Sequence, residues 1–402
     1  MKRFLSVLLI GLLPLAASAE DVAPGKSVAG KRWHSLFPKL ENFAAPKLRF
    51  YSVPVKTADG LAVSPAGREG LDVKALVRMT NGIDADNAAF FKRAKSGEAI
   101  TNKQGCIDSF LLARNGKLVF EAYFADSTID KPHFTMSVTK SITSLGIGKA
   151  IELGVIGSDK DLLVDYFPAV DRSKLVAGAD KIRLCDLLSM RSGIRVDEAK
   201  LSRREKVGRN LAATSLTLSA PIKPGREFKY QGTDPNLLSH LIGLKTGKTL
   251  EVFLKEKLFA PLGITKSEFN TDAADQTRAA AGMRLRSRDL LKIGLMVQAD
   301  GQWKGKQIVE KKWIDKSTAI HVDNGRSKYG YFWWSQYHTV GGRKLLVKSA
   351  RGALGQFIFM VADLDVVAVF TSYGTRKPSA LLDRVVLPAC VGGARSDRKS
   401  TR

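Results

Sequence analysis

Cysteine is scarce in this chain: three residues in 402, at Cys106, Cys185 and Cys390. So few exclude a disulfide-dense scaffold, and the odd number leaves at least one thiol free or paired between molecules. No two lie close enough in sequence to form a metal knuckle, so no metal is implied. Cys185 sits in Leu184-Cys185-Asp186-Leu187-Leu188, where an apolar helix face would bury it as an inert side chain. Cys106 precedes a strand and Cys390 follows the last helix, which leaves a bridge between these two open. Histidine is also sparse, with His34, His133, His240, His321 and His338. Neither G-x-S-x-G nor H-E-x-x-H occurs, so a Ser-His-Asp hydrolase and a zinc protease lack their signatures. Negative charge is short as well: 39 Asp and Glu face 64 Lys and Arg, for a net charge of +25. The basic residues are scattered and no helix-turn-helix, zinc-finger or RNA-binding motif is present, which argues against a nucleic-acid partner. The excess leaves attraction to an anionic cell-envelope surface as one reading and a generally basic exported protein as the other. Beyond the N-terminus no stretch approaches about twenty apolar residues, which argues against an integral membrane span and leaves a retained N-terminal anchor as the minor alternative.

The N-terminus holds the one long apolar run. Lys2 and Arg3 lead into Phe4 to Leu15 and then Ala17-Ser18-Ala19, the charged, apolar and small-residue regions of a secretory signal cleaved after Ala19. Residues 1–19 are therefore read as a signal peptide, and the remaining chain as periplasmic or secreted. Residues 20–64 are rich in Pro, Lys and Gly with little periodicity and read as an extended segment over the surface. A basic, disordered tail is expected over 391–402.

Between these ends the pattern alternates helix and hairpin. Leu71 to Arg93 has helical spacing, and Ile107 to Ala113 with Leu118 to Phe124 flank Asn115-Gly116, a strong hairpin dipeptide. Near the other end, Phe357 to Val361 and Val366 to Thr371 flank a second turn, followed by a helix from Ser379 to Leu387. The middle, from about Ile182 to Leu262, reads as mostly helical with Pro and Gly breaks. This order predicts an α/β (α+β) domain over 65–390. One antiparallel sheet is built from the two ends (65–150 and 280–390), flanked by helices, with an all-helical lobe (151–279) inserted. The crevice between lobes is where a site is expected.

One tetrapeptide carries chemistry. In Ser137-Val138-Thr139-Lys140 a serine stands three residues ahead of a lysine at the start of a helix expected from Ser137 to Leu153, so hydroxyl and amine share one face. The helix continues through small and apolar residues, as a buried helix does. In such a crevice the amine loses solvation, its pKa falls, and it can take a proton from the hydroxyl. The helix N-terminus favours a developing oxyanion. The bland alternative is a capping serine and a snorkelling lysine. The same spacing recurs at Ser396 and Lys399, in the tail, with nothing apolar to fix it.

Around Phe228-Lys229-Tyr230-Gln231-Gly232 the chain resembles the serine β-lactamase and penicillin-binding-protein superfamily, in its class C-like branch of esterases and 6-aminohexanoate-dimer hydrolases. The likeness spans about residues 65–390 and includes Leu187 to Gly193, Pro261-Leu262-Gly263, Arg288 to Leu291, Gly301-Gln302-Trp303 and Tyr329 to Trp334, in order. It implies a β-lactamase/transpeptidase-like fold with no cofactor and an acyl-enzyme at Ser137, with Lys140 and Tyr230 shuttling the proton. The literal Lys245-Thr246-Gly247 ends an apolar helix, where glycine is an ordinary stop, and reads as a decoy for the family's strand motif. The matching segment is Ala350 to Gln356, with the N–H groups of Ala353 and Ser137 as the oxyanion pair. Gly352, Arg351, Gly232 and His133 are candidate substrate-binding residues. Ala350 and Gly232 stand where a β-lactamase would carry Lys or His and Asn. The resemblance therefore implies a hydrolase of a small-molecule ester or simple amide. The alternatives are a non-catalytic periplasmic binding protein and a peptidase that recognises β-lactams or peptidoglycan. Loops such as Ala199 to Ser215 and Asp323 to Lys328 would set the substrate.

Overall fold

In the computed structural model the described residues are 48–51, 53–96, 105–196, 210–325, 327–375 and 377–392, with the short antiparallel pair Ser27–Val28 and Lys31–Arg32. The signal peptide, much of the 20–64 segment, tail residues 393–402 with Ser396 and Lys399, and residues 197–209, which include 199–209 of the expected Ala199–Ser215 loop, lie outside them. The main elements are β1 (Arg49–Tyr51), β2 (Ala62–Val63), α1 (Val73–Lys95), β3 (Cys106–Arg114), β4 (Lys117–Tyr123), α2 (Val138–Glu152), α3 (Thr233–Thr246) and α4 (Ser287–Gln298). They continue with β5 (Val322–Asn324), β6 (Ser327–Tyr329), β7 (Trp334–Val340), β8 (Arg343–Gly352), β9 (Gln356–Val361) and β10 (Val366–Tyr373).

The two ends of the chain do build one sheet. Its order is β5-β6-β7-β8-β9-β10-β3-β4-β1, antiparallel throughout this path, with β2 added parallel to β4. The seam is β10 against β3, where Phe370 faces Phe110 and Val369 faces Leu111. Asn115 and Gly116 both have positive φ, 52° and 71°, the conformation that a two-residue hairpin matching strand twist requires. Alternation along the strands then sorts the core into two layers. Leu111, Ala113, Ile358, Val367 and Val369 face α2 and α4. Phe110, Leu112, Phe357, Phe359 and Phe370 face α1 and the C-terminal helical turns around Leu382 and Val386. Helix α4 lies so close that a Cβ on Gly294 would come within 2.6 Å of Val367 and 2.7 Å of Ile358.

Several expectations need correction. The segment 151–279 is not all-helical. It holds helices Leu184–Leu188, Leu211–Thr217, α3 and Leu250–Leu254, but also strand Ser267–Phe269, which joins Met283–Leu285 and His133–Phe134 in a separate three-stranded sheet. Asp323 to Lys328, expected as a loop, is the hairpin of β5 and β6. The helix expected over Ser379 to Leu387 runs from Lys377 to Gly392 in three pieces, with a π turn over Leu382–Val386, so residues 391 and 392 are helical and not tail. Part of the 20–64 segment is built into the sheet as β1 and β2. All three cysteines are free, so Cys106 and Cys390 form no bridge, and Cys185 is half-buried, not enclosed. Among the described residues no helix is long and apolar enough to cross a membrane.

Candidate active site

The chain enters α2 through a forced corner. Met136 adopts φ +49°, a conformation that costs a residue with a Cβ, and the Thr135 N–H is anchored to the Met283 carbonyl at 2.9 Å. Ser137 follows as the N-cap residue, yet its side chain makes no capping bond. Its Oγ instead accepts a hydrogen bond from Lys140 Nζ at 3.1 Å. Lys140 does not snorkel: it is 1% exposed, and Nζ also donates to the Ala280 carbonyl at 2.7 Å. The bland alternative of a cap and a solvated lysine thus fails at both residues.

Tyr230 completes the group. Its hydroxyl faces Ser137, which favours the phenolate, and Lys140 Nζ stands 4.9 Å from its ring centroid. Burial pushes the phenol up to about 12, and the neighbouring Ser137 works in the other direction. The ring is held by aromatics, with Trp334 at 5.5 Å and Tyr329 at 6.1 Å between centroids, while Phe228 packs on Tyr329 at 5.1 Å. The tyrosine loop is pinned from below, Lys229 N–H to the Met190 carbonyl and Gly225 N–H to the Arg191 carbonyl, each 2.8 Å. A hydroxyl, an amine and a phenol in mutual contact can deprotonate the hydroxyl and return the proton to a leaving group.

Gly352 ends β8 directly against the nucleophile's approach. A Cβ there would lie 2.6 Å from the Thr135 carbonyl and 3.0 Å from Met136 Cβ, so only glycine permits this contact. Ala353 follows, exposed, and opens a turn in which Leu354 has φ +63°. Ala350 is fully buried. Arg351 donates to Ser349 Oγ at 2.8 Å and Gln336 Oε1 at 3.3 Å, and its guanidinium lies 5.6 Å from the centroid of the same Trp334 that touches Tyr230. Burial lowers the Arg351 guanidinium to about 10. Gly232 caps α3 next to the tyrosine loop.

The structure does not bring His133 to the serine side chain. Its Nε2 is 2.6 Å from Asp108 and its Nδ1 3.0 Å from the Phe134 carbonyl. His240 pairs with Asp272 at 2.5 Å, His321 stacks on Tyr331, and His338 pairs with Asp383. Lys245-Thr246-Gly247 ends α3 with Gly247 at φ +67°, and Lys245 lies over Tyr166. Trp333 is core; Trp303 is half-buried in a small hairpin, and Trp334 alone of the three reaches the tyrosine. Sequence reasoning missed the polar group behind the tyrosine: Ser192, Gln231 and Asp234. An aspartate in a helix's first turn looks like an ordinary dipole partner, and only the fold shows it to be fully buried.

The beta-lactamase family profile matches residues 108–388, well over half of the chain, and the chain belongs to the beta-lactamase family. Among curated proteins it is similar to the 6-aminohexanoate-dimer hydrolase of Paenarthrobacter ureafaciens, at 24% identity over 293 residues, 66% of this chain and 72% of that one. It is also similar to the monacolin J acid methylbutanoyltransferase of Aspergillus terreus, at 27% identity over 43% of this chain and 48% of that one. Among solved structures, a candidate 6-aminohexanoate-dimer hydrolase from Bacillus anthracis superposes over 94% of this chain and 98% of its own, with TM-score 0.62 and 18% identity. A mutant class C beta-lactamase superposes over 76% of this chain and 97% of its own, with TM-score 0.56 and 15% identity. These structures share the antiparallel sheet with flanking helices; at such identities they speak to fold alone.

Proposed function

We propose that this chain is an exported serine hydrolase that cleaves a small-molecule ester or simple amide through an acyl-enzyme on Ser137. The observation that carries this is the contact of Lys140 Nζ with Ser137 Oγ at 3.1 Å, with the Tyr230 ring 4.9 Å from the same Nζ. Ser137 Oγ attacks the carbonyl carbon while its proton passes to the Lys140 and Tyr230 pair. The oxyanion is held by the N–H groups of Ser137 and Ala353, aided by the N-terminus of α2. Collapse releases the alcohol or amine, which takes the proton back, and water attacks the acyl-enzyme by the same route. Gly232, Gly352 and Arg351 border the substrate; His133 supports the rim through Asp108. Ala350 is enclosed and uncharged, which favours an ester or simple amide over a β-lactam or cell-wall peptide. Export rests on the sequence of residues 1–19, and the net charge supports association with an anionic cell-envelope surface.

The test is intact mass spectrometry of the wild type and Ser137→Ala after exposure to a fluorophosphonate, short-chain p-nitrophenyl esters and benzylpenicillin. A phosphonyl adduct on wild type alone, with ester turnover and no stable penicilloyl adduct, is the expected result. A folded wild type that takes no adduct overturns the enzyme reading in favour of a binding protein, and a penicilloyl adduct moves it to a β-lactam-recognising enzyme.

A further inference from the structure

Bonded to Gln231, the residue after Tyr230, is a carboxyl group that the mechanism above does not use. Asp234, in the first turn of α3, has no solvent exposure. Its Oδ1 accepts hydrogen bonds from Ser192 Oγ at 2.7 Å and Gln231 Nε2 at 2.8 Å, and Gln231 Nε2 also donates to Ser192 Oγ at 3.2 Å. These three side chains tie the residue after Tyr230 to the segment that pins the tyrosine loop through Met190 and Arg191. The other oxygen, Oδ2, is buried with no hydrogen-bond partner. So is the hydroxyl of Tyr329, whose ring packs edge-on against Tyr230.

We propose that Asp234 is the positioning residue of Tyr230, acting through Gln231 and Ser192 and in its neutral, protonated form. The proposal rests on the serine hydrolase reading given above. A buried carboxylate with one bare oxygen is strongly disfavoured, so the proton stays on Asp234 far above the usual carboxylate range. Burial pushes the group up to about 7, while the bonds from Ser192 and Gln231 and the charge of Lys229 favour the anion and Asp186 opposes it. Around it stand Lys229 on the tyrosine loop, Asp186 on the helix Leu184–Leu188 and Tyr329 on β6, the residue that lies between Asp234 and Tyr230. Arg191, nearby on the pinning segment, is bonded to Ser189. Loss of the proton places a negative charge under the tyrosine loop, against Tyr329. That charge draws solvent towards the Ser192 and Gln231 bonds on which the loop geometry depends, and so loosens the seat of Tyr230.

The experiment is the rate of Ser137 phosphonylation by a fluorophosphonate between pH 5.5 and 9, for wild type and Asp234→Asn. Their ratio cancels the ionisation of Lys140 and Tyr230. Asparagine keeps the acceptor and cannot ionise, so the mutant-to-wild-type ratio should be near one at pH 6 and rise about threefold or more by pH 8.5, with a midpoint near 7. Gln231→Met removes one bond that favours the anion and should move the wild-type midpoint to higher pH; it serves as the test if Asp234→Asn does not fold. A ratio independent of pH, or a midpoint unmoved by Gln231→Met, makes Asp234 merely structural and overturns the proposal. A folded wild type that is never phosphonylated fails the hydrolase reading itself, and the proposal with it.

Discussion

Arg288 and Asp234 are both buried ionisable groups at the start of long helices, and their surroundings are opposite. Arg288, 2% exposed, spends every part of its fork. Nε and Nη2 meet the two oxygens of Glu121 at 2.6 Å each. Nη1 reaches Thr57 Oγ1 at 2.8 Å and Asp59 at 3.2 Å, and Nη2 also reaches the Val55 carbonyl at 2.6 Å. Tyr123 closes the set by donating to Glu121 at 2.6 Å. This network fastens residues 55–59 to the sheet and to α4, and its charges are compensated on all sides. Asp234 has one oxygen satisfied and one bare. The same chain therefore places a saturated network at the edge of the sheet and an unsaturated one beneath the tyrosine loop. A fully paired buried charge has only one favourable protonation state; a half-paired one has two within reach.

The comparison breaks in different ways on its two sides. The largest expected effect is on activity: Ser137→Ala and Lys140→Ala should each lower kcat on the best ester by about a thousandfold or more. Tyr230→Phe should cost somewhat less, and melting temperatures should stay near wild type. A Tyr230→Phe enzyme with normal turnover would remove the phenol from the proton path. On the saturated side the signs reverse. Glu121→Ala leaves Arg288 charged, buried and half-paired, and should cost about 3–5 kcal/mol of stability, read as a lower denaturant midpoint with the activity per folded molecule kept. A smaller effect is expected at the junction. Gly352→Ala forces β8 away from Thr135 and Met136, and should lower kcat by about tenfold, roughly 1.4 kcal/mol in the barrier, with KM changing less.

Which parts could be read from sequence follows from the range of the forces involved. Helix α2 and the hairpin at Asn115-Gly116 declare themselves through local periodicity and turn chemistry. Ser137 and Lys140 are three residues apart on a helix, so their contact is a local fact too. Strands β5 to β8 were not legible, because Lys344, Lys348, Ser349 and Arg351 interrupt the apolar alternation of β8 and Gly341-Gly342 looks like any turn. Tyr230 was reached only by resemblance: nothing within the chain near it points across space to Ser137. Asp234 was beyond both routes, since its meaning lies in burial by Leu184–Gly193 and β6, which are distant in sequence.

The smallest effect sharpens the comparison most, because it separates the two networks by pH alone. Asp234 holds its proton in the folded protein to about pH 7 and loses it near 3.8 in the unfolded chain. Between these values the folded state binds the extra proton, so this group's contribution to stability is complete below about pH 4 and is lost as pH rises through about 7. Asp234→Asn abolishes that loss. The mutant should match or fall slightly below wild type at pH 4.5 and exceed it at pH 8 by at least about 1 kcal/mol, or about 2–4 °C in melting temperature. Asp59, by contrast, is shifted downward, with Arg288 among the groups that favour its anion, so Asp59→Asn should destabilise at neutral pH and lose its effect as the solution is acidified through the carboxylate range. Thermal scans of the two variants at pH 4.5, 6 and 8 should therefore diverge in opposite directions; parallel curves would show that the buried Asp234 and the half-buried Asp59 are held alike and that the contrast drawn from the structure is wrong.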